Sequence, residues 1–168
     1  LDAHHVSDIY PVREFPGIAL SIMPRPRSGD WLQDEITAWG HHGLSKVVSL
    51  LEAHEVTDLG LAEEPALCAA HGITYISFPI PDRGVPSSMS AITSLVEPLV
   101  ADLAAGARVA VHCRAGIGRS ALVAGCILLR AGIPYARVFP ALAQARGLPV
   151  PDTTEQEEWV QAFSRSGI

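Results

Sequence analysis

The sequence predicts one α/β domain in which a mostly parallel central sheet carries helices on both faces. Three observations lead there. Short apolar runs rich in β-branched residues recur along the chain, too continuously apolar for a strand with one face in water. Helical patterns separate them, as in sheets whose strands alternate with covering helices. The 168 residues suit one domain with a full core, and no repeat, linker or low-complexity tract divides them. The domain is therefore expected to span 1–168, with a disordered end within residues 1–10 around His4 and His5.

The elements follow in order. GIALSIM (17–23) reads as the first strand. Asp30 precedes WLQDEITAWGHHG with Gln33 three residues on, a capping-box-like helix start, and His41 and His42 mark the end near Gly43. KVVSLL (46–51) is the second strand, and Leu61 to His71 a short helix stopped by Gly72. ITYISFPI (73–80) is the third strand; Ser88 to Ala105 is a longer helix that Pro98 should kink or delay. RVAVHC (108–113) is the fourth strand, followed by a helix over SALVAGCILLRAG (120–132). Pro134 opens the next helix, which runs to about Ala145 with Pro140 a second irregularity. Thr154 and Glu157 have capping-box spacing before a last amphipathic helix ending near Ser164. Trp31, Trp39 and Trp159 are assigned to packing on such helices.

Composition excludes several classes. Twelve basic residues against eighteen acidic ones give a net charge of −6, so no basic face for nucleic acid is expected. The apolar ALVAGCILL (121–129) is too short to cross a bilayer and follows Arg119, so no membrane partner is expected. LDAHHVSD lacks the basic and apolar regions of a secretory signal, and three widely spaced cysteines make no disulfide framework. A reducing, cytoplasmic setting is expected.

HCRAGIGRS (112–120) sits where a strand ends and a helix begins, the place where open α/β sheets bind ligands. A lone cysteine is more often core than catalytic. His112 before Cys113, Gly116 and Gly118 within the segment, and Arg119 and Ser120 after it make a chance match improbable. The types fit one chemistry. Cys113 is a nucleophile only as a thiolate, which amides, a helix N-terminus or a cation favour. The glycines permit the tight or left-handed backbone that turns successive N–H groups toward an anion. Arg119 can fork two hydrogen bonds onto a phosphate, Ser120 can donate to the departing sulfur, and His112 orients the loop. Arg114, Ala115, Gly116, Ile117 and Gly118 form the rest of the cradle, in which phosphate, sulfate and vanadate are expected to bind and inhibit.

This segment resembles the phosphate-binding loop of the cysteine-dependent protein tyrosine phosphatases, whose pattern is H-C-x5-R-[ST]. The A-G-x-G-R interior most resembles the dual-specificity branch, including Cdc14-like and kinase-associated phosphatases. VVSLLE (47–52) resembles a strand of that family, and FPIPDRGVP (78–86) resembles its general-acid loop. Together these cover roughly residues 45–160. The resemblance implies a phosphocysteine intermediate, with Asp82 protonating the leaving oxygen; Asp102 and Asp58 are weaker rivals. It implies a late glutamine positioning water, which Gln156 matches best. Arg146 either reaches the site or caps its helix. No cofactor and no metal are implied: Cys68 and His71 have helical spacing but no second ligand pair. Cys126 reads as core, and Cys68 as a disulfide partner protecting Cys113 is a minor alternative. Arg25 and Arg27 either touch substrate or form a solvated pair. Superfamily lipid phosphatases often carry lysine inside the loop, whereas Arg114 alone adds charge here. The expected substrate is therefore a phosphorylated protein or peptide bearing phosphotyrosine, with phosphoserine or phosphothreonine also accepted. The alternatives are a phosphoinositide or small-phosphoester phosphatase, a rhodanese-type sulfurtransferase and a phosphate-dependent binding module. The loop is expected at one sheet edge.

Overall fold

The computed structural model describes residues 8–166. Five short strands form the sheet: β1 (Tyr10–Pro11), β2 (Leu20–Met23), β3 (Lys46–Ser49), β4 (Thr74–Ser77) and β5 (Val109–His112), in the order β1-β2-β5-β3-β4. The four predicted strands are all present, and pairings among β2, β5, β3 and β4 are parallel. The unpredicted β1 is antiparallel to β2, with Tyr10 opposite Ile22. Tyr10 is thus a paired strand residue, which corrects the expectation of disorder at that position; His4 and His5 lie outside the described residues.

Every residue of β5 is buried. A strand buried on both faces needs neighbours on both sides and cover above and below, so VAVH is the middle strand. This corrects the expected placement of the loop at a sheet edge. Register then assembles the site: His112 lies opposite Met23 of β2 and Ser49 of β3, so three carboxyl ends stop level.

Side chains alternate between the faces. Val109 and Val111 join a core with α4 (Met89–Ala104), α5 (Arg119–Arg130), α6 (Tyr135–Arg146) and α7 (Thr154–Ser166). Ala110 faces the other core, under α1 (Leu32–His41) and α3 (Glu64–Ala70). Ser88 caps α4 by accepting from Ala91 N at 3.0 Å, and the helix runs on across Pro98, so its start is not delayed. Helix α5 is buried from Arg119 to Leu128. Gly125 lets α6 approach it, because a Cβ there would lie 3.2 Å from Val138 Cγ1.

Two predicted caps shift. Gly29–Trp31 forms a 3-10 turn, and Trp31 is already in helical conformation where α1 begins. An N-cap needs extended backbone, so Asp30 does not cap. The box at α7 sits one residue early: Thr153 Oγ1 accepts from Gln156 N at 3.0 Å while Gln156 Oε1 accepts from Thr153 N at 3.1 Å. A short α2 (Ala53–Asp58), unpredicted, follows β3. Trp39 is buried and Trp159 stacks on Phe163, as expected for packing. Trp31 instead is 52% exposed, with Arg27 over its ring at 4.7 Å.

Candidate active site

Between β5 and α5 the chain curls around the sulfur of Cys113. Sγ accepts hydrogen bonds from Gly116 N at 3.3 Å and from Ser120 Oγ at 3.0 Å. The two glycines answer different demands. Gly116 has φ +73°, and a Cβ there would lie 2.7 Å from Met23 C and Pro24 N. Gly118 has an ordinary φ of −88°, but a Cβ would lie 2.8 Å from Asp152 Cβ and 2.9 Å from Gln156 Oε1. Gly116→Ala therefore meets immovable backbone as well as a left-handed φ, each worth about 1–3 kcal/mol. It is expected to lower the melting temperature, a result that thermal denaturation reads directly.

Arg119 opens α5, and its guanidinium is buried. Nη1 donates to Glu55 Oε1 at 2.7 Å and Ile80 O at 2.9 Å; Nη2 donates to Glu55 Oε2 at 3.0 Å and Asp82 Oδ1 at 3.2 Å. Glu55, which sequence reasoning missed, is the hub of the site. Its Oε1 also accepts from Glu52 N at 2.9 Å to cap α2, and its Oε2 from Arg114 Nε at 3.3 Å. Burial pushes this carboxyl up, but the Arg119 hydrogen bonds, the Glu52 N–H and the two guanidinium groups outweigh it and hold the pKa at about 2. Burial works against the Arg119 charge, and Glu55, Cys113 and Asp82 more than restore it, raising its pKa.

The Asp82 loop leans over the same guanidinium. Gly84 N donates to Pro81 O at 2.7 Å, closing a tight turn in which Arg83 takes φ +60°. Arg83 Nη1 donates to Asp152 Oδ2 at 2.7 Å, and Gln156 Nε2 to Gly84 O at 3.0 Å. Asp82 itself stays 59% exposed. Its rivals lie elsewhere: Asp102 pairs with Lys46 at the far end of β3, and Asp58 is exposed at the end of α2. Gln156 is fully buried, and besides Thr153 its Oε1 accepts from Asp152 N at 3.1 Å. It knits α7, the Asp82 turn and the floor under Gly118 together.

Arg146 reaches the site: Nη2 donates to Ala115 O at 3.1 Å and Nε to Gly116 O at 3.2 Å, with the guanidinium over Tyr10 at 4.4 Å. Arg114 and Ala115 are exposed on the rim, and Ile117 is half-buried. His112 is buried, with Nδ1 3.4 Å from Cys113 O and Nε2 2.6 Å from Glu64 Oε2. Arg25 N donates to Arg114 O at 3.2 Å, and Arg27 pairs with Glu35. Cys68 packs in the core under α1 and α3, whereas Cys113 and Cys126 belong to the other core, so the structure does not bring Cys68 to Cys113. His71 bonds Leu67 O and Thr37 Oγ1.

Known proteins resemble this chain. A family model described as "Polymorphic toxin system, DSP-PTPase phosphatase" matches residues 22–133. The chain belongs to this family. Cyclin-dependent kinase inhibitor 3 of Rattus norvegicus is 32% identical to this DSP-PTPase chain over 95 residues, covering 55% of the chain and 44% of that protein. The Sus scrofa protein of that name is 30% identical over the same shares. The DSP-PTPase chain thus aligns with less than half the length of these relatives. Kinase associated phosphatase, solved with serine in place of its catalytic-site cysteine, superposes with a TM-score of 0.86 at 20% identity, covering 97% of each chain. Tk-PTP in its active form gives 0.76 at 20% identity, covering 94% of this chain and 97% of its own. PTPMT1 in complex with PI(5)P gives 0.75 at 17% identity, covering 94% and 95%. The predicted α/β phosphatase fold and the dual-specificity branch are thereby established.

Proposed function

We propose that this chain hydrolyses phosphomonoesters on proteins through a phosphocysteine. One observation carries the reading: a sulfur cradled by Gly116 N and Ser120 Oγ shares a loop with a buried arginine to which an aspartate turn is fastened. The Cys113 thiolate attacks phosphorus in line, forming the S–P bond as the P–O bond breaks. Loop amides and Arg119 hold the equatorial oxygens. Asp82 gives its proton to the leaving oxygen, then as carboxylate takes one from the water that splits the S–P bond. Ser120 donates to the departing sulfur, and Gln156, buried behind Gly118 and bonded to Gly84 O, holds the acid turn beside the loop. Side chains supply nucleophile, cation and acid, so no metal or cofactor enters the scheme.

Charge on the rim supports a phosphoprotein over a polyphosphoinositide. Arg114, the added cation of the loop interior, has its guanidinium on Glu55. The curated relatives' name and "kinase associated phosphatase" agree with protein partners. Among the described residues no helix is long and apolar enough to cross a membrane, and three free thiols suit the cytoplasm. A sulfurtransferase would have no use for the Asp82 turn fastened over Arg119.

The test is turnover of para-nitrophenyl phosphate with acid-quench trapping. Vanadate- and sulfate-sensitive hydrolysis, an acid-stable phosphoenzyme and no sulfur transfer from thiosulfate to cyanide are expected. Sulfur transfer without hydrolysis would overturn the reading. Asp82→Asn is expected to lose about 10^2-fold in kcat on phenyl phosphate, within the usual range for a general acid, and less on esters with better leaving groups. Equal losses on all esters would reassign the acid.

A further inference from the structure

Behind the loop, on the face covered by α1 and α3, lies a pair that the steps above do not use. Glu64, the first residue of α3, and His112, the last of β5, are both fully buried. Glu64 Oε2 is 2.6 Å from His112 Nε2, while Glu64 Oε1 has no hydrogen-bond partner. An unsatisfied buried polar atom costs about 1–3 kcal/mol, so packing alone does not account for a carboxylate here. The other titratable groups facing this pocket are Cys68 of α3 and Tyr75 of β4. Burial first, and the Glu64 charge after it, push the Cys68 thiol up to about 12 and raise Tyr75. Both stay neutral at working pH. Helix α1 contributes the Trp39 ring, 6.2 Å from the imidazole, and β3 contributes Ser49, beside His112 in register. Among the described residues, the cation available to Glu64 is therefore His112. Both partners of the ring, the Glu64 carboxylate and the Cys113 carbonyl, are acceptors, which calls for a proton on each nitrogen.

We propose that Glu64 is a positioning residue: it holds His112 as an imidazolium whose Nδ1–H pins the Cys113 carbonyl and whose charge favours the thiolate. The inference rests on the phosphatase reading, but its test does not require turnover. Iodoacetate alkylation of Cys113 across pH reports the thiolate, and the fully buried Cys68 and Cys126 do not compete. In Glu64→Gln the alkylation midpoint is expected to rise by about one pH unit, which is about tenfold slower labelling below the midpoint. The rates should converge above it. A purely structural role would leave the midpoint in place, and a midpoint unchanged in the folded variant overturns the proposal. Nitrogen NMR of the native chain gives a check independent of the variant's folding. Both ring nitrogens of His112 should be protonated between pH 5 and 7, and a bare Nδ1 or Nε2 overturns the assignment. Failure of para-nitrophenyl phosphate turnover with a normal alkylation profile would instead remove the phosphatase reading alone.

Discussion

Cys113→Ser is expected to hydrolyse para-nitrophenyl phosphate more than about 10^4-fold more slowly than the native chain, the scale on which losing a nucleophile acts. The substitution leaves the cradle intact. Gly116 N and Ser120 Oγ still point at the replaced atom, and Arg119 stays fixed by Glu55 and Ile80. The side chain becomes a hydroxyl, which is not ionised at working pH and is a weak nucleophile without a base. Phosphate affinity should therefore change only a few-fold while turnover vanishes. Calorimetric titration with phosphate beside an initial-rate assay separates the two. Activity within tenfold of native would sink the phosphocysteine scheme, and lost phosphate binding would mean that the sulfur shapes the loop.

Glu55→Ala is expected to cost the domain about 3–5 kcal/mol, the usual loss when one partner of a buried pair is removed. At this chain length each kcal/mol lowers the melting temperature by about 2–4 °C, so a fall near 10 °C is expected. Arg119 keeps the exposed Asp82 but loses its buried counter-charge, Arg114 loses its carboxylate partner, and α2 loses the Glu55 half of its capping box. Turnover should fall with stability, because Glu55 accepts a hydrogen bond from each terminal nitrogen of the guanidinium. Acid titration checks the cause. A carboxyl depressed from 4.5 to about 2 contributes stability that is fully present above pH 4.5 and fades as pH falls toward 2. At about 1.4 kcal/mol per pKa unit, that contribution is about 3 kcal/mol. Glu55→Gln should therefore lack this part of the native chain's acid sensitivity, and the two curves should converge near pH 2. Parallel curves across that window would show that the pair is not the source.

What the sequence reveals and what it hides follow from the reach of local patterns. β5 and α5 are legible because VAVH and SALVAGCILL are apolar on every side, and the loop between them because His112, Cys113, Arg119 and Ser120 are contiguous. Asp82 is legible from its prolines and its distance to the cysteine. Glu55 and Glu64 are not, because a glutamate outside any motif reads as solvated, even on the predicted helix that carries Glu64, and their partners lie 64 and 48 residues away. β1 is too short to show any periodicity. Gln156 is legible as a candidate but not as a cap, because Thr153 and Thr154 offer competing registers one residue apart. Arg146 is undecidable from sequence alone, since an arginine ending a helix satisfies local carbonyls equally well.

The wall behind Gly118 bears on how the chain can be divided. The proposed nucleophile, cation and acid all fall between residues 82 and 120, and the stretch that matches the family model closes at 133. Yet the atoms that Gly118 rests against belong to Asp152 and Gln156, and the same two residues tether the acid turn. A fragment trimmed to the recognisable stretch would carry every reactive group and lose the surface that keeps them apart at working distance. For library design or domain transplantation, the indivisible unit therefore takes in α7, whose buried Val160 and Phe163 belong to the same core.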